Sequence, residues 1–285
     1  MRVSDWLTDW LDLRRSEIRP RTIESYSDLF TRYIFPAIGD IDVADLDPGP
    51  IRHLLADIIR SGHSRTAELV YVLLKAALAE LDHNPMPKIR RPKHTQQSPD
   101  PWTDAEARIY LAALDGHPHG LALSLAIILG MRRGEVCGLR WGDIDLEIGI
   151  LTVRNQRIRL ATGEIVDAPP KSATSIRAIP LPEALLVRLR AARGLPAAYV
   201  CRLTPSGLDS AHRRLVRDLG LPPIPLHGLR HTMATACIRH GGDMRALQSV
   251  LGHASYAVTA DRYTHPDLDM MQSAVDVGTA LCYTV

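Results

Sequence analysis

Apolar residues recur at helical spacing through the first third of the chain: Val3, Trp6, Leu7, Trp10 and Leu11, then Ile23, Tyr26, Leu29, Phe30 and Tyr33. This period predicts helices over 3–13 and 22–34, the second stopping before Pro36 and Gly39. Asp47-Pro48 opens a third helix that runs to about Arg60 and ends at Gly62, and Ser64 caps a fourth over 66–81. The next stretch, PMPKIRRPKHTQQSPDP at 85–101, carries five prolines among polar residues. Such a stretch is expected to hold no helix and bury no core, so it reads as a linker.

The pattern resumes at Trp102. Thr103 and Glu106 have capping-box spacing, an apolar helix covers about 119–130 and a shorter one about 133–140. After Asp145 the period changes from 3.6 to 2. Strands are predicted at 150–160, 164–168 after the Thr162-Gly163 turn, and 175–181, together one three-stranded antiparallel sheet. Helices follow at 182–193, 206–219, 226–239, 243–251 and 255–262, with a last short one near 266–275. The expected fold class is mainly α with a small antiparallel β-sheet: an all-helical domain at 1–84, the linker at 85–101, an α+β domain at 102–275 and a tail at 276–285.

Composition narrows the function. In 285 residues, 46% are hydrophobic and 23% charged, an ordinary globular balance that excludes wholesale disorder. The longest apolar run, 121–131, is about half the ~20 residues of a membrane span. MRVSDWLTDW sets acids and tryptophans where a signal peptide has its apolar core, so a cytoplasmic protein is expected. Cys137, Cys201, Cys237 and Cys282 form no CxxC pair, which argues against a disulfide framework or a thiolate zinc site. The net charge of +2 does not by itself announce nucleic acid. The linker, however, sets Lys88, Arg90, Arg91 and Lys93 in six residues without an acid, a pattern suited to lying over phosphates. Beyond it the chain has a single lysine, Lys171.

Three clusters could carry chemistry: Gly130-Met131-Arg132-Arg133-Gly134-Glu135, His227-Gly228-Leu229-Arg230-His231-Thr232, and Leu251-Gly252-His253 followed ten residues later by Tyr263-Thr264-His265. His227 and His231 have the i, i+4 spacing of a zinc hydrolase helix. Gly228 stands where such an enzyme needs its glutamate, and Arg230 would repel a dication, so no metal or other cofactor is expected. Phosphate suits the set better. Arg132 and Arg230, on separate helices, could grip the two non-bridging oxygens of one phosphodiester, with the histidines as further donors.

GMRRGE, a lysine in a strand hairpin, HGLRH, LGH and RYTH in this order resemble the tyrosine recombinase, or phage integrase, family across both domains. The resemblance implies that 1–84 is a core-binding DNA domain and 102–275 the catalytic domain of a site-specific DNA recombinase. It implies Tyr263 as the nucleophile that leaves a 3′-phosphotyrosine, Arg132 and Arg230 as the clamp, and Lys171 as the acid for the leaving oxygen. His227 and His253 would assist and Glu135 would orient the site. The implied partners are double-stranded core attachment sites and three further protomers, with a monomer when free. A host DNA-bending protein or directionality factor could join them, and no membrane is involved. The core-binding helices begin within the first residues, so a compact form without an arm-binding domain is expected. Alternatives that share these residues are a chromosome-dimer resolvase and a conjugative-transposon recombinase. A non-catalytic regulator on the same fold and a type IB topoisomerase stand further off.

The chemistry is consistent with that reading. A phenol of pKa about 10 is ionised about one part in a thousand at pH 7, a cost of about 4 kcal/mol that nearby arginines reduce. Arginine cannot give up a proton to a leaving alkoxide, whereas lysine can. The chain departs from the family at Gly228, where an acid is common, which puts the capping of that helix in question, and the stretch 194–209 is short.

Overall fold

The computed structural model describes residues 1–18, 20–93, 99–160, 162–169, 176–252, 272, 275 and 276. The chain divides into two compact units, Met1–Ser98 and Pro99–Val285. The first contains α1 (Val3–Leu13), α2 (Pro20–Leu29), α3 (Phe35–Ile38), α4 (Pro48–Arg60) and α5 (Ser64–Ala77). Their apolar faces meet in one core, with Val3, Leu7, Ile34, Ile51, Val70 and Leu74 fully buried. Each such aliphatic side chain contributes about 1.5–3 kcal/mol on burial. The Trp6 indole crosses the unit to donate to the Ala77 carbonyl at 2.9 Å, fixing α1 against the end of α5.

Two expectations for this unit need correction. The second helix does not end before Pro36. Residues Phe30–Ile34 form a π-turn in which the Phe35 N–H donates to the Phe30 carbonyl, and α3 then continues to Ile38. The widened turn shifts the hydrogen-bond ladder by one residue just ahead of Pro36, whose ring and missing N–H a regular helix would not hold. Nor is 85–101 free of core residues. Met86 and Ile89 are buried in the first unit, placed three residues apart by a single 3₁₀ turn at Met86–Lys88. The prolines prevent a long helix, but one tight turn suffices to seat two apolar side chains.

The second unit holds α6 (Asp104–Ala112), α7 (Gly120–Ile128), α8 (Arg133–Gly138), β1 (Ile144–Asp145), β2 (Ile150–Val153), β3 (Gln156–Arg159), β4 (Ile165–Ala168), β5 (Arg177–Pro180), α9 (Glu183–Ala191), α10 (Pro205–Asp218), α11 (Leu226–Arg239) and α12 (Met244–Leu251). The predicted capping box is present: Thr103 N–H donates to Glu106 Oε2 at 2.7 Å and Glu106 N–H to Thr103 Oγ1 at 3.3 Å. Helix α7 is apolar on every side and buried from Ala122 to Ile128, as befits a central helix. Its Ser124 accepts from Arg188 at 2.8 Å. Below it His212 is fully buried. Its Nδ1 accepts from Tyr110 Oη at 2.9 Å and its Nε2 donates to the Ile224 carbonyl at 3.0 Å, because a carbonyl can only accept. Burial holds its pKa below the usual histidine value, which favours the neutral ring.

The expected single sheet is two. Strands β1, β2 and β5 form one antiparallel sheet, while β3 and β4 form a separate hairpin. The run 150–160 breaks at Arg154-Asn155, where the Arg154 side chain pairs with Asp143 at 3.0 Å. The hairpin then lies against α8, where a Cβ on Gly138 would stand 2.8 Å from the Gln156 backbone. Only glycine permits that approach. The expected helices at 255–262 and 266–275 and the tail at 276–285 lie outside the described residues, except that Gln272, Val275 and Asp276 are helical.

Candidate active site

The site is built around the C-terminal end of α12. Leu251 closes the helix and Gly252 leaves it in the left-handed region, φ +63°, a conformation glycine adopts without strain. Three arginines from three elements donate to the last carbonyls of this helix. Arg177 Nε reaches Val250 at 2.6 Å, Arg230 Nη2 reaches Leu251 at 2.6 Å, and Arg132 Nη2 reaches Gly252 at 3.0 Å. Helix C-termini carry partial negative charge and unpaired carbonyls, so cations suit them.

Glu135 lies between two of these arginines. It accepts from Arg132 Nη1 at 2.8 Å and from the Arg132 backbone at 2.8 Å. A fork from Arg177 completes it, Nη1 at 3.1 Å and Nη2 at 2.8 Å. Glu135 is 3% exposed. Burial opposes its charge, but Arg177 and then Arg132 outweigh that and hold its carboxyl below the usual range. The neighbouring Arg133 faces elsewhere, in an ion pair with Asp209.

Arg230 is 2% exposed on α11. Its Nη1 donates to the Gly130 carbonyl at 2.8 Å, and Gly130 itself has φ +59°. A Cβ there would stand 2.5 Å from Leu251 Cδ2, so the turn of the GMRRGE motif packs directly on the end of α12. Burial, with the Arg132 charge beside it, pulls the Arg230 pKa down to about 9, and it remains a cation at pH 7. His227, one turn earlier on α11, is exposed and meets His231 edge to face, ring centroids 5.0 Å apart. Partial desolvation, then the charges of His231, Arg230 and Arg132, lower its pKa. It is therefore a neutral imidazole at pH 7, able to accept a proton.

Gly228, the departure from the family pattern, has a local cause. A Cβ there would come within 2.9 Å of Ile224 Cβ. The helix start is instead closed by the Gly228 N–H donating to the Pro225 carbonyl at 2.7 Å.

The structure thus brings together Arg132, Glu135, His227 and Arg230. Lys171, His253 and Tyr263 lie outside the described residues. Lys88, Arg90, Arg91 and Lys93 belong to the first unit, where with Arg52 they line a groove of about 650 Å³ beside α4. Arg91 pairs there with Glu68 at 2.7 Å. No group of His, Cys, Asp and Glu able to hold a metal occurs among the described residues, and no helix among them is long and apolar enough to cross a membrane. Sequence reasoning gave Arg177, in the stretch downstream of Lys171, no role of its own. A signal existed: in the alternation of β5, Arg177 and Ile179 share the buried face, and an arginine there must find a counter-charge.

The phage integrase family matches residues 104–269, and the phage integrase N-terminal SAM-like domain matches residues 3–58. The chain belongs to the phage integrase family. It is 28% identical over 195 residues to a tyrosine recombinase XerC-like protein of Caldanaerobacter subterraneus, covering 58% of this chain and 50% of that protein. It is 27% identical over 275 residues to a putative prophage phiRv2 integrase of Mycobacterium tuberculosis, covering 89% of this chain and 72% of the relative. The matches span half of the first curated relative and about two thirds of the XerC of Xylella fastidiosa. Among solved structures, the Tn1549 transposon integrase in complex with a circular intermediate DNA superposes with a TM-score of 0.78 at 20% identity, covering 97% of this chain and 99% of that one. A lambda integrase dimer bound to a core site gives 0.70 at 22% identity, covering 93% and 99%. The expected fold class, helical with small antiparallel sheets, is the one these integrases share.

Proposed function

We propose that the protein is a site-specific DNA recombinase that cuts and rejoins DNA through a 3′-phosphotyrosine on Tyr263. The observation that carries this reading is the convergence of Arg132 and Arg230 at the end of α12, with ionised Glu135 behind Arg132 and neutral His227 alongside. Each guanidinium carries five donors, and Arg230 uses two of them on carbonyls. Donors remain for a phosphodiester. The Tyr263 oxygen attacks phosphorus, the phenol proton passes to His227 or His253, and the 5′-oxygen departs with a proton from Lys171. The phosphotyrosine conserves the bond energy, so attack by a 5′-hydroxyl reverses the step without ATP. The arginines supply the positive charge, and no step requires a metal ion or other cofactor.

The basic groove beside α4, with Lys88, Arg90, Arg91 and Lys93, is assigned to the DNA backbone. The first unit would serve as the core-binding domain and the second as the catalytic domain. The partner is a double-stranded attachment site, and assembly on it as four protomers, from free monomers, follows the lambda integrase tetramer bound to a Holliday junction. A host DNA-bending protein or directionality factor would complete the complex in the cytoplasm. Integration or excision of a mobile element is favoured by the long match to the prophage integrase. The XerC-like relative favours a second reading, resolution of chromosome dimers.

The test is a covalent adduct. The purified protein is mixed in EDTA with duplex DNA from beside its own gene, and an SDS-resistant complex is sought alongside Tyr263→Phe. An adduct lost in the variant is expected. One that survives moves the nucleophile elsewhere, to Tyr256 or Tyr283 first, and tight binding without an adduct favours a regulator.

A further inference from the structure

Arg177 is 8% exposed, sits on β5 and uses all three of its nitrogens: Nη1 and Nη2 on Glu135, Nε on the Val250 carbonyl. Its side chain also lies against Gly252, where a Cβ would stand 3.0 Å from Arg177 Cδ and 3.2 Å from Nη1. An ion pair this deeply buried gains little stability over an apolar pair of the same volume, because both ions lose their water. Packing alone therefore does not account for an arginine on the inward face of β5. Its contacts do: they join the carboxylate that aims Arg132 to the helix end that receives Arg132 and Arg230.

We propose that Arg177 is a positioning residue for strand cleavage, which holds the Glu135 carboxylate in a two-nitrogen fork and fixes the end of α12, so that Arg132 and Arg230 are presented together to one phosphate. This rests on the recombinase reading above and adds a residue that does not itself touch DNA. Glu135 is faced by Arg132 at the start of its own helix, by Arg177 from β5, and by Arg230 and His227 from α11. Among the described residues, the end of α12 brings the Val250, Leu251 and Gly252 carbonyls to these arginines. Arg177 supplies the largest favourable part of that environment, so its loss should let Glu135 take a proton at a higher pH. The clamp would then loosen from the acid side.

The experiment uses the full chain with the same gene-flanking duplex, nicked so that the adduct accumulates, and follows single-turnover adduct formation from pH 5 to 9. For Arg177→Met the rate at pH 7 should fall about 10–100-fold, as for a misplaced reacting group, while DNA affinity holds. The acid limb should move up by about one unit, the usual influence of an adjacent arginine. Arg177→Lys, which keeps the charge but not the fork, should recover the limb and only part of the rate. Arg177→Met combined with Glu135→Gln should abolish the shift. A uniform loss at every pH, with the limb unmoved, would overturn the proposal and leave Arg177 a structural residue. A second measurement needs no DNA: backbone amide exchange at 250–252 should speed up in Arg177→Met, and unchanged exchange would also overturn it. A wild type that forms no adduct overturns the recombinase reading instead, so the two failures are distinct.

Discussion

The two units solve the same packing problem with different materials. In the first, every buried side chain among the described residues is hydrophobic. In the second, Ser124, Glu135, Asp143, Arg177, His212, Arg230 and Thr232 are all buried. The first unit keeps its charge on the surface, in exposed pairs such as Arg2–Asp40, which contribute little to stability. The second takes two arginines, Arg177 and Arg230, and two carboxylates, Glu135 and Asp143, inside. Buried charge of that kind is costly, and it lies beside the GMRRGE and HGLRH motifs of the proposed site.

The comparison can be broken most forcefully at Glu135. Glu135→Ala leaves Arg177 and Arg132 without their carboxylate and should cost about 3–5 kcal/mol, the penalty for stripping one partner from a buried pair. Urea unfolding, with hydrogen exchange to localise the loss, should find it in the second unit. In the first unit, Leu74→Ala opens a cavity and should cost about 2–5 kcal/mol. The adduct rate per folded molecule should be unchanged, since only packing is lost. Equal effects of both variants on the rate would contradict the division.

Acid should separate the units next. Glu135, His212 and His227 all have folded pKa values below their unfolded ones. Their contribution is therefore complete above the unfolded values, about 6.5 for the histidines and about 4.3 for the glutamate, and fades as pH falls through the folded ones. In the first unit the lowered carboxyls, Asp42 and Glu68, are held by surface contacts. Exchange measured at pH 7 and again near pH 4.5 should show protection lost first around His212 and α12. The smallest effect is expected at Arg91→Ala. If the groove beside α4 binds DNA backbone, the slope of log affinity against log salt should drop by about one, with the adduct still forming.

Much of this was legible in the sequence where local rules operate. The 3.6 period places α1, α4, α10 and α11 within a few residues, and Thr103 with Glu106 marks the start of α6. Arg132, Glu135, His227 and Arg230 could be chosen because each sits in a short recognisable motif. What escaped depends on distant partners. Arg177 and Glu135 are 42 residues apart, and no spacing rule announces that pairing. The break at Arg154-Asn155 carries no glycine or proline to announce it, and Arg154 there pairs with the distant Asp143. Pro36 was a correct warning with the wrong outcome, since a π-turn absorbed it. Met86 and Ile89 were hidden by the prolines around them.

The bonds from Arg132 and Arg230 to the end of α12 have a consequence for the phosphate clamp proposed above. A free arginine side chain carries about 2 kcal/mol of rotamer entropy. In Arg132 and Arg230 much of it is lost when the protein folds, with carbonyl oxygens holding the guanidinium planes in place. On the proposed reading, an arriving phosphodiester would meet donors whose directions are already set. Less ordering remains for the encounter itself, so binding strength can be reserved for the strained geometry of the transferring phosphorus.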